Sequence, residues 1–177
     1  MNWEVLLFTI MKKYSIQAVL EGKVKRKMEE NKKTIDVTAL GELLVDFTMN
    51  GQSEQGNLIF EACPGGAPCN VLAFLQKMEK KTAFIGKVGN DQFGKMLKET
   101  IEEAGINASN LIFDNQVNTT LAFVHTFENG DRDFSFYRNP GADMMLIAAE
   151  VNEETIKQSK IFHFGTLSMT AEGVREA

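Results

Sequence analysis

From residue 35 onward the apolar positions fall into short blocks whose spacing alternates between that of strands and that of helices. Ile35-Asp36-Val37-Thr38-Ala39-Leu40 is a strand-like run, and Leu43 to Phe47 is again apolar. Leu58 to Cys63 reads as a strand. From Pro68 to Lys80 the apolar residues Val71, Leu72, Leu75 and Met78 recur at helical spacing. Thr82 to Val88 has the apolar density of a buried strand. Gln92 to Ala104 puts Phe93, Met96, Leu97 and Ile101 on one helical face, and Gly105 is placed to close that helix as a C-cap. Strand, helix, strand, helix at this spacing predicts an α/β fold with a mainly parallel sheet covered by helices.

The texture then changes. Asn118 to Phe127 and Arg132 to Arg138 are strand-like runs rich in threonine and aromatics, joined by Glu128-Asn129-Gly130-Asp131. The Asn-Gly pair predicts an antiparallel hairpin. A hairpin inside an α/β chain reads as a lid or an interface element. Glu153 to Ser159 is expected to be helical, Lys160 to Thr166 a strand, and a further helix begins near Thr170. Residues 1–34 stand apart, with helical propensity, lysines towards the end and no turn signals. Met28 is a plausible start, which would make residues 1–27 an extension.

Composition narrows the function classes. The chain has 177 residues, 44% apolar and 24% charged, as in ordinary globular proteins, so disorder is not expected. A net charge of −5 argues against nucleic-acid binding. The one basic cluster, Lys23-Val24-Lys25-Arg26-Lys27, is followed by Glu29 and Glu30 and reads as a solvated helix face. No apolar run reaches the roughly 20 residues of a membrane span. Val5 to Met11 lacks the basic flank and cleavage site of a signal peptide. Cys63 and Cys69 lack metal-site spacing and read as small buried side chains of a cytoplasmic protein. His125 and His163 lie singly in apolar strands and read as structural.

Two glycine-rich turns are candidates for chemistry. Gly65-Gly66-Ala67-Pro68-Cys69-Asn70 joins a predicted strand to a predicted helix. Paired glycines allow close backbone approach, proline suits a first helical turn, and Asn70 offers a donor and an acceptor. The turn suits a polyhydroxylated molecule or an anion, or is simply a strand-to-helix connection. Gly89-Asn90-Asp91-Gln92-Phe93-Gly94-Lys95 has the G-x-x-x-x-G-K spacing of a phosphate loop. It is rejected as one. Met96 replaces the magnesium-binding Ser or Thr, and Asp91 would set a carboxylate among phosphates. Asn90 or Asp91 is expected to cap a helix there, with Lys95 solvated.

Taken together, five segments resemble the amino-terminal half of the ribokinase-like, or PfkB-type, carbohydrate kinases, with fructokinase the nearest member. They are Gly41 to Phe47, Gly65 to Val71, Phe84 to Gly94, Asp133 to Asp143 and Ile161 to Gly165. The resemblance runs from about Ile35 to the last residue. It implies a ribokinase-like α/β fold with a small β-lid built from strands near 57–63 and 118–138. It implies that Asp46 accepts hydrogen bonds from sugar hydroxyls, its alternative being a strand-end carboxylate that caps a turn. It further implies that Gly65 and Gly66 let the loop pack against the sugar, and that Asn70 binds another hydroxyl. Arg138 would reach the pocket from the lid, or else form a surface salt bridge. Lids of this family often pair between subunits, which implies a homodimer. Leu72 and Glu79 depart from the family pattern, at positions where a small residue and a helix-ending glycine are usual.

Members of this family transfer the ATP γ-phosphoryl group to a sugar hydroxyl, using Mg2+, a carboxylate base and a glycine-rich anion hole. In the family these last two lie in a Gly-Ala-Gly-Asp motif towards the C-terminus, and this sequence contains none. The expectation is a sugar-recognition half with its lid, cut before the catalytic part, holding no catalytic residue, nucleotide or metal. Such a piece is expected to be inactive alone and to expose an apolar sheet edge. Other members (a 2-keto-3-deoxygluconate kinase, ribokinase or nucleoside kinase) and a non-catalytic sugar-binding fragment are the alternatives.

Overall fold

The apolar blocks build two sheets rather than one. The computed structural model describes Val19, Gly22, Lys23 and residues 33–127 and 129–177. Its strands are β1 (Ile35–Leu40), β2 (Leu44–Gln52), β3 (Leu58–Gly65), β4 (Thr82–Gly89), β5 (Asn107–Asp114), β6 (Leu121–Thr126), β7 (Arg132–Tyr137) and β8 (Ser159–Phe164). Its α-helices are α1 (Ala67–Lys77), α2 (Gln92–Glu103), α3 (Glu153–Lys157) and α4 (Glu172–Glu176), and short 3-10 turns fill 142–150 and 166–170. The expected helical extension and start at Met28 fall largely outside the described residues. Val19, Gly22 and Lys23 are helical and exposed.

The first sheet has the order β5-β4-β1-β8 and is parallel throughout. All of β4 is buried, which is why its sequence lacks polar alternation. Helices α1 and α2 pack over the sheet and enclose Leu43, Val45, Leu72, Phe84, Val88 and Leu97. Each such side chain contributes about 1.5–3 kcal/mol through removal from water. Residues 35–177 form one compact unit around this core. Strand β5 was not anticipated. Its register with β4 shifts between Ala83 and Ile85, so Ala108 and Leu111 are both buried although three positions apart. A bulge of this kind erases the two-residue period that marks a strand in sequence.

The second sheet has the order β3-β2-β6-β7 and adds a central strand to the expected lid. The lid was expected from the strand near 57–63 and the 118–138 hairpin. The hairpin strands pair as expected, although the first begins at Leu121. β2 lies between them, antiparallel to β3 and parallel to β6. It reaches Gln52 because Asp46, Thr48 and Asn50 alternate with Phe47 and Met49, a two-residue period that continues the lid beyond the apolar start.

Helix ends follow the local chemistry. The Asp91 side chain caps α2 by accepting from Gly94 N–H, and Gly105 takes φ +84° just beyond the helix. After α1 the left-handed turn falls on Glu79 at φ +59°, where a non-glycine residue costs roughly 1–2 kcal/mol. At the other edge of the parallel sheet, β8 pairs only with β1 among the described residues and exposes Ile161, Phe162 and Phe164. No described helix is long and apolar enough to cross a membrane.

Candidate functional site

The Gly-Gly turn is held by what surrounds it. Antiparallel pairing sets Leu44 opposite Gly65 and Asp46 opposite Cys63. The Asp46 carboxylate then folds over Gly65, where a Cβ would stand 2.2 Å from Oδ2. Gly66 takes φ +118°, and a Cβ there would lie 2.4 Å from the Glu42 carbonyl oxygen. Gly66 is therefore required by close backbone approach and by conformation, whereas a side chain at Gly65 would displace the Asp46 carboxylate. α1 starts at once, with Pro68 in its first turn and Asn70 N–H donating to Gly66 O.

Asp46 is half-buried, and burial pushes its carboxyl above the ordinary value. Among the described residues its carboxylate has no recorded hydrogen-bond partner. Its acceptor oxygens are thus partly desolvated and uncommitted. Asn70 is exposed. It lines, with Gly65, Leu43, Pro64 and Cys69, a hollow of about 230 Å³ between α1 and α2. Gly65 is therefore the shared wall between the Asp46 side chain and the hollow that Asn70 lines.

Arg138 is held along one edge of its guanidinium. Its Nε donates to Asp143 Oδ2 at 2.8 Å, and Nη2 lies 2.6 Å from the same oxygen. Asp143 is 2% exposed and also accepts from Thr120 Oγ1. The ion pair is thus nearly buried and not the surface contact that the sequence left open. Sheet register aligns Asp46, Ala122 and Phe136 across β2, β6 and β7. Arg138 follows the last residue of β7, two positions past Phe136. Among the described residues no hydrogen bond or ion pair joins Arg138 to Asp46 or Asn70.

The phosphate-loop look-alike is a cap. Asp91 accepts from Gly94 N–H, Thr119 Oγ1 and Thr119 N–H at 2.7–2.8 Å. Burial raises this carboxyl, but the hydrogen bonds outweigh it and hold the group below its ordinary value. A fixed anion at the head of α2 does not fit a phosphate. Lys95 is exposed. Cys69 is buried, and burial, together with the nearby Glu42 charge, pushes its thiol far up. Cys63 is only half-buried, a correction, because it sits on the lid beyond the core. His125 is exposed and bonds Ser135. Among the described residues no cluster of His, Cys, Asp or Glu is suited to a metal.

Sequence reasoning missed Glu42, Thr120 and Asp143 as members of this region. The available signal at Glu42 was a charge set between Leu40 and Leu43 in an apolar stretch.

The sequence and the fold both match a known family. The sequence model of the pfkB family carbohydrate kinases matches residues 34–177. Fructokinase-2 of Oryza sativa subsp. japonica is 43% identical over 145 residues, covering 80% of this chain and 43% of that protein. The crystal structure of fructokinase from Xylella fastidiosa superposes with a TM-score of 0.75 at 34% identity, covering 82% of this chain and 44% of that one. A putative ribokinase II from E. coli, in complex with ATP and Mg2+, superposes with a TM-score of 0.70 at 27% identity, over 79% of this chain and 46% of its own. The chain spans less than half the length of each of these proteins.

Proposed function

The chain belongs to the pfkB family of carbohydrate kinases, and we propose that it forms the sugar-recognition and lid portion of a fructokinase-like enzyme. The complete enzyme would pass the ATP γ-phosphoryl group to a sugar hydroxyl, releasing ADP and a sugar phosphate. In this reading Asp46 accepts from sugar hydroxyls, Gly65 and Gly66 admit the ring to the backbone, and Asn70 binds a further hydroxyl. Arg138 approaches from the lid with its Nε–Nη2 edge held by Asp143, leaving Nη1 for the sugar. The uncommitted Asp46 carboxylate packed on Gly65 is the observation that carries the reading. These groups position a hydroxyl and exclude water, which is where much of the rate of such transfers arises.

The nucleotide and Mg2+ belong, on this reading, with residues outside this stretch. The glycine turn at 89–95 does not fit phosphate, and the sequence contains no Gly-Ala-Gly-Asp. The 177-residue chain is expected to bind sugar without consuming ATP. The partners proposed are a small sugar and a second copy through the lid, with no nucleic acid or membrane, in the cytoplasm. Titration calorimetry with fructose, ribose and 2-keto-3-deoxygluconate tests the assignment. Fructose binding that is lost in Asp46→Asn supports it, and fructose binding indifferent to that change refutes it. Sugar-dependent turnover in a coupled ATP assay would refute the division of labour.

A further inference from the structure

Glu42 is 4% exposed and has no cationic partner among the described residues. Burying a lone carboxylate is costly, so something in the fold must favour it there. Helix α1 provides that. Its N-cap is Gly66, which has no side chain with which to cap the helix. Ala67 N–H instead donates to Glu42 Oε1 at 3.1 Å, from a residue far upstream in the β1–β2 connection. The positive end of an eleven-residue helix stabilises the anion in turn.

Glu42 holds the turn by its main chain as well. Its carbonyl oxygen is the atom that a Cβ on Gly66 would strike. On its other side Oε2 is buried without a hydrogen bond and stands 2.7 Å from where a Gly165 Cβ would be, beside Pro68. Gly165 is itself fixed, its N–H donating to Leu40 O. Glu42 is thus wedged between the sugar turn and the end of β8.

We propose that Glu42 is a positioning residue for the sugar turn, capping α1 from a distance and so setting Gly65 beneath Asp46 and Asn70 in its place. Its consequence for binding rests on the sugar-site reading above; the clamp itself does not. The hydrogen bond needs an acceptor at the right reach, so Glu42→Gln retains the clamp while Glu42→Ala and Glu42→Asp lose it.

The test uses the 177-residue chain, whose two cysteines report on the turn. Cys69 lies buried in the first turn of α1, and half-buried Cys63 is the internal reference. Reaction with a chromogenic disulfide reagent should give one fast and one slow thiol in the parent chain. Glu42→Ala should speed the slow thiol at least tenfold and weaken fructose binding at least tenfold, with the far-ultraviolet circular dichroism unchanged. Glu42→Gln should stay within about threefold of the parent in both. If Glu42→Ala does not fold, Glu42→Asp, which keeps the charge but shortens the reach, carries the same expectation. A Cys69 as slow in the Ala or Asp variant as in the parent overturns the proposal. Equal acceleration by Gln and Ala overturns it too. Should no form bind fructose, the sugar reading fails, and the thiol rates still decide the clamp.

Discussion

Asp46 and Gly65 face each other across β2 and β3 so closely that the carboxylate occupies the space of a missing side chain, 2.2 Å from the position of a Gly65 Cβ. A side chain at Gly65 would have to displace that carboxylate. The glycine sets the carboxylate's position, and the carboxylate explains why the glycine is there.

Gly65→Ala should therefore displace the Asp46 side chain or the turn. Overpacking of this sort costs about 1–3 kcal/mol. Urea denaturation should show a loss of that size, and fructose affinity should fall at least about tenfold, or 1.4 kcal/mol. Unchanged affinity would separate the turn from the sugar.

Asp46→Asn should act in opposite directions on stability and binding. Burial raises the Asp46 carboxyl, so folding disfavours its ionised form. The penalty is present at neutral pH and lifts as the pH falls through the raised value. The asparagine variant should melt higher than the parent at pH 7 and lose this part of the pH dependence. Its fructose affinity should drop by about ten- to a hundredfold, the usual worth of hydrogen bonds to a charged acceptor. A lower melting temperature would contradict the desolvation argument.

Asp91 predicts the reverse pH behaviour. Hydrogen bonds from Thr119 and Gly94 hold its carboxyl below the ordinary 3.8 despite partial burial. Its contribution is complete above that ordinary value and is lost as the pH falls through the lower, folded one. Thermal melts between pH 5 and 2 should show the parent losing more stability than Asp91→Asn. Parallel curves would mean that the cap does not titrate as described.

Lys87 ties β4 to the segment that follows the lid. Its ammonium donates to Glu150 Oε1 at 2.7 Å and Met145 O at 2.9 Å, with Asp114 at 3.7 Å. Removing one partner of a fully buried ion pair costs about 3–5 kcal/mol, and this pair, with Glu150 partly exposed, falls at or below the lower end. Lys87→Ala should destabilise by about 3 kcal/mol, and Lys87→Met, which keeps the apolar stem, by less. An unfolding midpoint unmoved in urea would show the pair to be inconsequential.

Phe134 and Phe136 stack at 5.9 Å on the lid face that also carries Asp46, and they remain 44% and 50% exposed. Pairing of two lids would cover them. Sedimentation should detect a dimer in the parent chain and a monomer in the Phe134→Ser, Phe136→Ser double variant. A parent chain that is monomeric at high micromolar concentration would remove the lid-to-lid proposal.

Local periodicity made much of this protein legible. The spacing in α1 and α2, the apolar density of β4 and the Asn-Gly hairpin each reside in a dozen residues or fewer, and each formed where expected. The alternation of these elements already implied a parallel sheet, and the Gly-Gly turn was already visible as a place of close approach. Pairing over long sequence distance could not be read in the same way. The bulge in β5 shifts the register and hides the strand. The membership of β2 in the lid depends on which strands flank it. The capture of Arg138 by Asp143, which also accepts from Thr120, joins the ends of β6 and β7 to the turn that follows, and the cap on Ala67 comes from Glu42 across an intervening hairpin. The sequence by itself determined the elements and the glycine turn, because short-range sterics and hydrophobic period decide those. Only the tertiary structure decided which carboxylates are spent and which is left uncommitted, because that depends on what each meets once the sheets have paired.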